Sequence, residues 1–393
     1  MAQRLGGFSL VLLVTAGQFK QHPALAWLPI DLTLLSAALV CVLCAVSAFE
    51  LGRPSRKIVI PVLIWTALLP TLATYAPTLY GQSKVTTLFT VTLVLAIAPF
   101  FLLRTQLQRQ SFLQAVIVAG CVAALDASLG GSAVELYGRV SAEGTDTIGT
   151  ARLAMAGAIA LSFAAMDRSR GRSRRLFAVG FAVVLVAVAV MTGSRGPAIA
   201  AALSLVIAVS MAPMFGRRRV RTLVGVGALG AVTVLVVASE GNAGFNRILS
   251  FLNGESDTSS GARTLLWESA WQGLIQHPLG QGWGSFAPLG GANLYPHNLL
   301  LEIGYELGVI PAAVTIIVIV AAVAAAARRA TDVSETAFFA LLMFSIFNAM
   351  VSSDVNGSRM MVVTLFAAWS FNEAHQVART MGARTRLAGQ QLR

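Results

Sequence analysis

Long apolar runs separated by short polar connections dominate the chain. They fall near residues 6–18, 31–49, 58–72, 84–103, 111–129, 151–166, 176–191, 197–215, 222–239, 298–327, 336–351 and 360–372. A helix of about 20 apolar residues crosses about 30 Å of hydrocarbon, where every backbone polar group must be paired within its own segment. The pattern therefore predicts an all-α polytopic membrane protein with about twelve transmembrane helices. The first run follows Arg4, lacks an A-x-A cleavage site and is followed directly by Lys20 and His22, which reads as an uncleaved first helix. Three regions result: helices and short loops over 1–239, one long polar loop over 240–297, and helices plus a basic tail over 298–393.

Composition agrees with this pattern. Hydrophobic residues make up 56% of the 393 and charged residues 12%, whereas a soluble protein carries charge on about a quarter of its positions. Intrinsic disorder is excluded by the same figures. Cys41, Cys44 and Cys121 all lie inside apolar runs, so they read as small packing residues rather than a metal-spaced or disulfide set. The net charge of +12 would suit nucleic acid as a partner, but its distribution follows the membrane instead. With a cytoplasmic N-terminus and alternating spans, 21 of the 29 basic residues fall on the cytoplasmic side, and both termini with them. The exceptions are Lys20, Lys84, Arg139, Arg152, Arg195, Arg247, Arg263 and Arg359.

The outer face carries four informative segments. Residues 130–152 are polar and glycine-rich, with Arg139 in the middle and Arg152 at the start of the next span. A short turn, MTGSRGP (191–197), places Arg195 between two apolar helices, and SSDVNGSR spans 352–359. The long segment, 240–297, is of a size that usually carries function. Within it, 262–276 reads as an amphipathic helix, with Leu265, Leu266, Ala270, Trp271 and Leu274 at helical spacing and Trp267 and Trp271 suited to a membrane interface. His277-Pro278 stops that helix, and GQGWG makes a glycine-rich turn. Pro296 is placed to start the next helix, with His297 and Asn298 in its first turn. Asn298, Glu302 and Glu306 then recur every four residues, forming one polar stripe. Carboxylates at this depth face a bundle interior or a wet cavity. Glu306 reads as an interhelical contact or a functional group, and Glu302 and Asn298 as supports for His297.

Arginine forks match phosphate oxygens and stay charged at every relevant pH. A histidine beside them can act as general base toward a hydroxyl, and pyrophosphate leaves readily when cations hold its developing charge. The chain offers no H-E-x-x-H, no Asp-rich metal site and no G-x-S-x-G, so neither a metal nor an organic cofactor is called for. These parts fit group transfer from a lipid pyrophosphate at the membrane surface. A flippase or other transporter would instead show charged pairs spread through the spans and an internal repeat, neither of which the pattern displays.

Taken in order, TGSRGP (192–197), R-x-x-x-W from Arg263 to Trp267, HPLGQGWGSF (277–286) and PHNLLLEIGYELGVI (296–310) resemble the O-antigen ligase and O-antigen polymerase superfamily of bacterial glycosyltransferases. The resemblance implies a membrane-embedded enzyme of the GT-C type with its active site facing the periplasm from the inner membrane. It implies an undecaprenyl-pyrophosphate-linked glycan as donor and activity without a metal. Arg195 and Arg263 fall where the family holds the donor pyrophosphate, and His297 falls on its essential histidine; Arg139 sits near another family arginine. A ligase would move the glycan onto lipid A–core, whereas a polymerase would join lipid-linked repeat units. The compact outer loop favours the ligase.

Overall fold

A computed structural model describes residues 2–19, 22–74, 76, 78–129, 140–143, 145–218, 220–225, 227, 230, 258–288 and 293–370. Among these residues all regular structure is helical. The main elements are α1 (Ala2–Phe19), α2 (Leu32–Leu51), α3 (Val59–Thr74), α4 (Leu79–Leu102), α5 (Gln106–Leu129), α6 (Thr147–Met166), α7 (Arg172–Met191) and α8 (Arg195–Met211). After them come α9 (Thr258–Gln276), α10 (Leu299–Leu307), α11 (Val309–Arg329), α12 (Val333–Ser352) and α13 (Arg359–Ser370). Seven of the described helices, α2, α4, α5, α6, α7, α11 and α12, are long and apolar enough to cross a membrane. The shorter apolar helices include α1, α8 and α13. The expected run at 222–239 lies almost wholly outside the described residues, as does the expected loop over 240–257.

Side-chain chemistry sets the helix starts. Asp31, Asp146 and Asp332 cap α2, α6 and α12 by accepting from the N–H groups of Thr33 (2.6 Å), Gly149 (2.5 Å) and Glu335 (2.9 Å). Helices α6 and α12 form the centre, each with 78% of its apolar window buried, whereas α11 is only 11% buried and faces outward. Helix α6 packs against α5, α7, α8 and α12, and α12 also against α11 and α13. Small residues let backbones approach at the crossings. A Cβ on Gly7 of α1 would lie 2.4 Å from the Phe112 nitrogen, and one on Gly120 of α5 would lie 2.8 Å from the Leu153 carbonyl oxygen.

Two expectations are corrected by the fold. The continuous apolar run 298–327 is not one span: the chain breaks at Gly308 (φ 94°), so the nine-residue α10 precedes a separate 21-residue α11. Lys84 is not an outer-surface cation either. It sits inside α4, buried against Glu302 and Glu306 of α10. The ion pairs explain the position, since an ammonium at that depth needs anionic partners.

Clustered basic residues gather at the end of the bundle away from His297. Arg104 donates to the carbonyls of Gly52 and Arg53 there, both at 3.0 Å, and Arg329 donates to Ala368 at 2.6 Å. At the same end, buried Arg109 pairs with Glu335 at 2.5 Å and donates to the Ala367 carbonyl at 2.6 Å, joining α5, α12 and α13.

Candidate functional site

The site is assembled by α8, α9, α10 and the turns that hold them. Thr192 and Gly193 close α7: the Thr192 hydroxyl donates to the Ala189 carbonyl (2.7 Å) and accepts from the Ser194 N–H (3.1 Å), while Gly193 adopts φ 67°. This turn delivers Arg195 as the first residue of α8. Helix α9 begins before the expected 262 and carries Arg263 and Trp267.

The glycine-rich loop after α9 has a definite structural task. Gln281 N–H donates to the Tyr305 carbonyl (3.1 Å), Gly282 N–H to the Glu306 carbonyl (2.8 Å), and Val309 N–H to the Pro278 carbonyl (2.9 Å). The loop therefore satisfies carbonyls at the C-terminal end of α10 that the break at Gly308 leaves without intrahelical donors. Glycine is required at Gly280 (φ 89°), where a Cβ would lie 2.6 Å from the Glu306 carbonyl oxygen. Tyr305 packs over Gly273 of α9 and meets Phe286 edge-on at 5.2 Å between ring centroids. Helix α9, the loop and α10 thus form one packed unit, in which Arg263 near the start of α9 is close enough to His297 to act on it electrostatically.

His297 differs from expectation in its backbone. Asn298, not Pro296, starts α10: its side chain accepts from the N–H groups of Leu300 and Leu301, both at 3.1 Å. His297 therefore precedes the helix and takes φ 58°, a left-handed conformation uncommon for any residue but glycine. Its Nε2 lies 3.2 Å from Asn293 Oδ1, and its ring meets Tyr295 edge-on at 4.6 Å. With Asn293 Oδ1 accepting, Nε2 carries the proton and Nδ1 keeps its lone pair. Nδ1 is buried and has no hydrogen-bond partner among the described residues. Burial holds the His297 pKa below its usual 6.5, aided by the positive charges of Arg263 and Arg152 and opposed by Asp354.

Arg195, Arg263 and Trp267 line one cavity of about 350 Å³, whose remaining wall includes Ile199, Leu203, Phe347, Met350 and Val351. Two guanidinium-bearing residues thus share a recess with an apolar wall. Arg263 belongs to this recess and also acts electrostatically on His297, which does not itself line the recess. Arg139 lies outside the described residues. Glu302, expected beneath His297, contacts Lys84, as does Glu306 at 2.5 Å. Lys84 went unrecognised as part of this region because its partners are more than 200 residues away in sequence. Arg152, Asp354 and Arg359 also reach this end of the bundle, and only their placement at the ends of apolar runs signals them.

His22, Asp126 and Glu143 also come together, with candidate ligand atoms within 4.8 Å of one another. His22 Nδ1 accepts from the Ala24 N–H (3.1 Å), so Nε2 carries the proton and donates to Asp126 at 3.1 Å. Asp126 also accepts from the Glu143 N–H at 2.6 Å. In this arrangement neither ring nitrogen offers a lone pair to a metal, and the group ties the end of α1 to α5.

Residues 180–316 match the family model described as O-antigen ligase. No curated protein matches the chain. The matched segment contains α8, α9, the glycine-rich loop, α10 and the residues Arg195, Arg263 and His297. Over residues 180–316, about a third of its length, the chain is therefore similar to the O-antigen ligase family.

Proposed function

We propose that this protein is a ligase that transfers a glycan from undecaprenyl pyrophosphate to a hydroxyl of lipid A–core, at the periplasmic face of the bacterial inner membrane. The observation that carries this reading is the cavity shared by Arg195, Arg263 and Trp267. Its guanidinium groups match the pyrophosphate, and the wall of Ile199, Leu203, Phe347, Met350 and Val351 suits the first isoprene units. His297 Nδ1 accepts the proton of the acceptor hydroxyl as its oxygen attacks the anomeric carbon. The bond from that carbon to the pyrophosphate oxygen breaks, and the electron pair leaves with the pyrophosphate, held by Arg195 and Arg263. Asn293 fixes the tautomer that leaves Nδ1 available. The arginine clusters at the far end of the bundle set the orientation, with both termini cytoplasmic. The match supports the ligase and polymerase family in general, and the compact outer loop favours the ligase within it.

The test is the glycan phenotype of a deletion strain, paired with transfer by the purified protein. Long chains accumulating on the undecaprenyl carrier and absent from lipopolysaccharide are expected. Single repeat units on otherwise intact lipopolysaccharide would make the protein a polymerase, and a normal glycan profile would refute both.

A further inference from the structure

A second cavity, of about 60 Å³, lies on the other side of α12. The first recess uses Phe347, Met350 and Val351 of that helix; the second uses Phe344, Ser345, Asn348 and Ala349. Its polar lining includes Arg152, Arg359, Asn348 and Gln18 together with three serines, every one outside the matched segment 180–316.

The two arginines are held in place by groups that leave much of their charge uncompensated. Arg152 Nη2 donates to the backbone oxygen and the hydroxyl of Ser352, the latter at 2.6 Å. Arg359 Nη1 donates to the Leu13 carbonyl at 3.2 Å. The Arg359 guanidinium lies flat over Gly17, where an added Cβ would be 3.1–3.2 Å from Nη1, Cζ and Nη2. Among the described residues, no carboxylate lies within ion-pair distance of either guanidinium. Asp146 and Asp354 act electrostatically on Arg152, and Asp354 and Asp31 on Arg359, while the Asp354 oxygens accept from the Tyr80 hydroxyl (3.3 Å) and the Gly357 N–H (2.6 Å). Among the described residues, Arg152 Nε is buried with no hydrogen-bond partner, as are Gln18 Oε1 and Asn348 Oδ1. A buried charged donor left unmade is costly, so the arrangement suits an anion. The neighbouring amide oxygens suit hydroxyl groups attached to that anion. Arg152 also acts electrostatically on His297, and the cavity lies across α12 from the recess holding Arg195 and Arg263.

We propose that this second cavity binds a phosphate group on the acceptor saccharide, with Arg152 and Arg359 as its ligands, and so presents the acceptor hydroxyl to His297. The proposal rests on the glycosyl-transfer reading above. Its consequence is that the acceptor is recognised by charge at a place separate from the donor pyrophosphate.

The test uses full-length protein in nanodiscs with lipid-linked donor, and a phosphorylated core glycolipid compared with the same glycolipid after phosphatase treatment. For the wild type, removing the phosphate should raise the acceptor KM about ten- to hundredfold, the size of a lost charge-assisted hydrogen bond, with little change in the donor KM. Arg359→Gln should raise the KM for the phosphorylated acceptor similarly and abolish discrimination between the two acceptors. Equal KM values for both acceptors in the wild type would overturn the proposal, even if the variant does not fold. So would an Arg359→Gln enzyme that still discriminates, or one in which only the donor KM rises. Acceptor binding without donor, measured by calorimetry, separates the two readings. Phosphate-dependent binding with no transfer would sink the ligase and keep the site; transfer with phosphate-independent binding would do the reverse.

Discussion

Replacing Lys84 by methionine tests how the α10 unit is anchored. The Lys84 side chain is 1% exposed, and its two carboxylate partners, Glu302 and Glu306, are 0% and 1% exposed. The ammonium also lies 5.8 Å from the Tyr80 ring centroid and 5.9 Å from that of Trp283. Methionine keeps most of the volume but removes the charge, leaving two carboxylates buried on one face of a nine-residue helix. Breaking a buried pair from one side costs about 3–5 kcal/mol, or about two to three and a half decades in the folding equilibrium. Because α10 carries His297 at its start, part of that loss should appear as lower transfer activity in the molecules that remain folded. The decisive comparison is the triple variant Lys84→Met, Glu302→Gln, Glu306→Gln. With no charge left to desolvate, it should recover most of the stability lost by the single variant. The assay is unfolding of purified protein in one detergent, with transfer measured in parallel. A single variant within about 1 kcal/mol of wild type, or a triple variant no more stable than the single, would refute the argument.

Other expectations concern the site directly. His297→Gln should lower kcat about 10²–10⁴-fold at unchanged protein level; transfer within a few-fold of wild type would exclude it as the base. Since burial and the nearby arginines hold the His297 pKa below 6.5, the neutral base persists to lower pH. The acid limb of the kcat/KM profile should therefore fall below that value, and Arg152→Gln should move it upward. Arg195→Lys and Arg263→Lys should each lose much of the activity with raised donor KM, because a point charge does not reproduce a bidentate fork; normal transfer by both would show that they do not hold the donor. Gly280→Ala should destabilise the fold, since φ 89° and a Cβ 2.6 Å from the Glu306 carbonyl oxygen are both unfavourable; an unchanged unfolding midpoint would contradict the role given to the loop. Transfer should continue in EDTA, and loss restored by a divalent ion would call for a metal step.

The sequence made some of this geometry legible for plain physical reasons. Asn298, Glu302 and Glu306 stand out because a period of four on an apolar helix leaves no other explanation than a shared face. Arg195 and Arg263 stand out because cations on the outer side run against the charge asymmetry of the loops, and His297 because it follows Pro296 at the start of an apolar run. Lys84 was illegible as part of the same region: at the edge of an apolar run it looks like a surface residue, and only the fold brings α10 to it. The break at Gly308 was hidden because apolar residues continue on both sides, and hydropathy does not report φ. The start of α10 was misplaced by one or two residues because proline and asparagine compete for that boundary, and the Asn298 side chain supplies the hydrogen bonds proline lacks. Arg152 and Arg359 were seen only as cations at helix ends, since their common cavity depends on α1, α6, α12 and α13 meeting.

The break at Gly308 also bears on how the enzyme tolerates its solvent. Among the described long helices α11 is the least buried, at 11%, so it is the one whose tilt is expected to respond most to bilayer thickness. Were α10 and α11 a single rod, every such adjustment would swing His297 through an arc. Instead α10 is fastened at its far end to the 277–286 loop and at its flank to Lys84. The break lets α11 change its lean with a smaller swing of α10, so a bilayer a few ångströms thicker or thinner is expected to alter the tilt of α11 more than the position of His297.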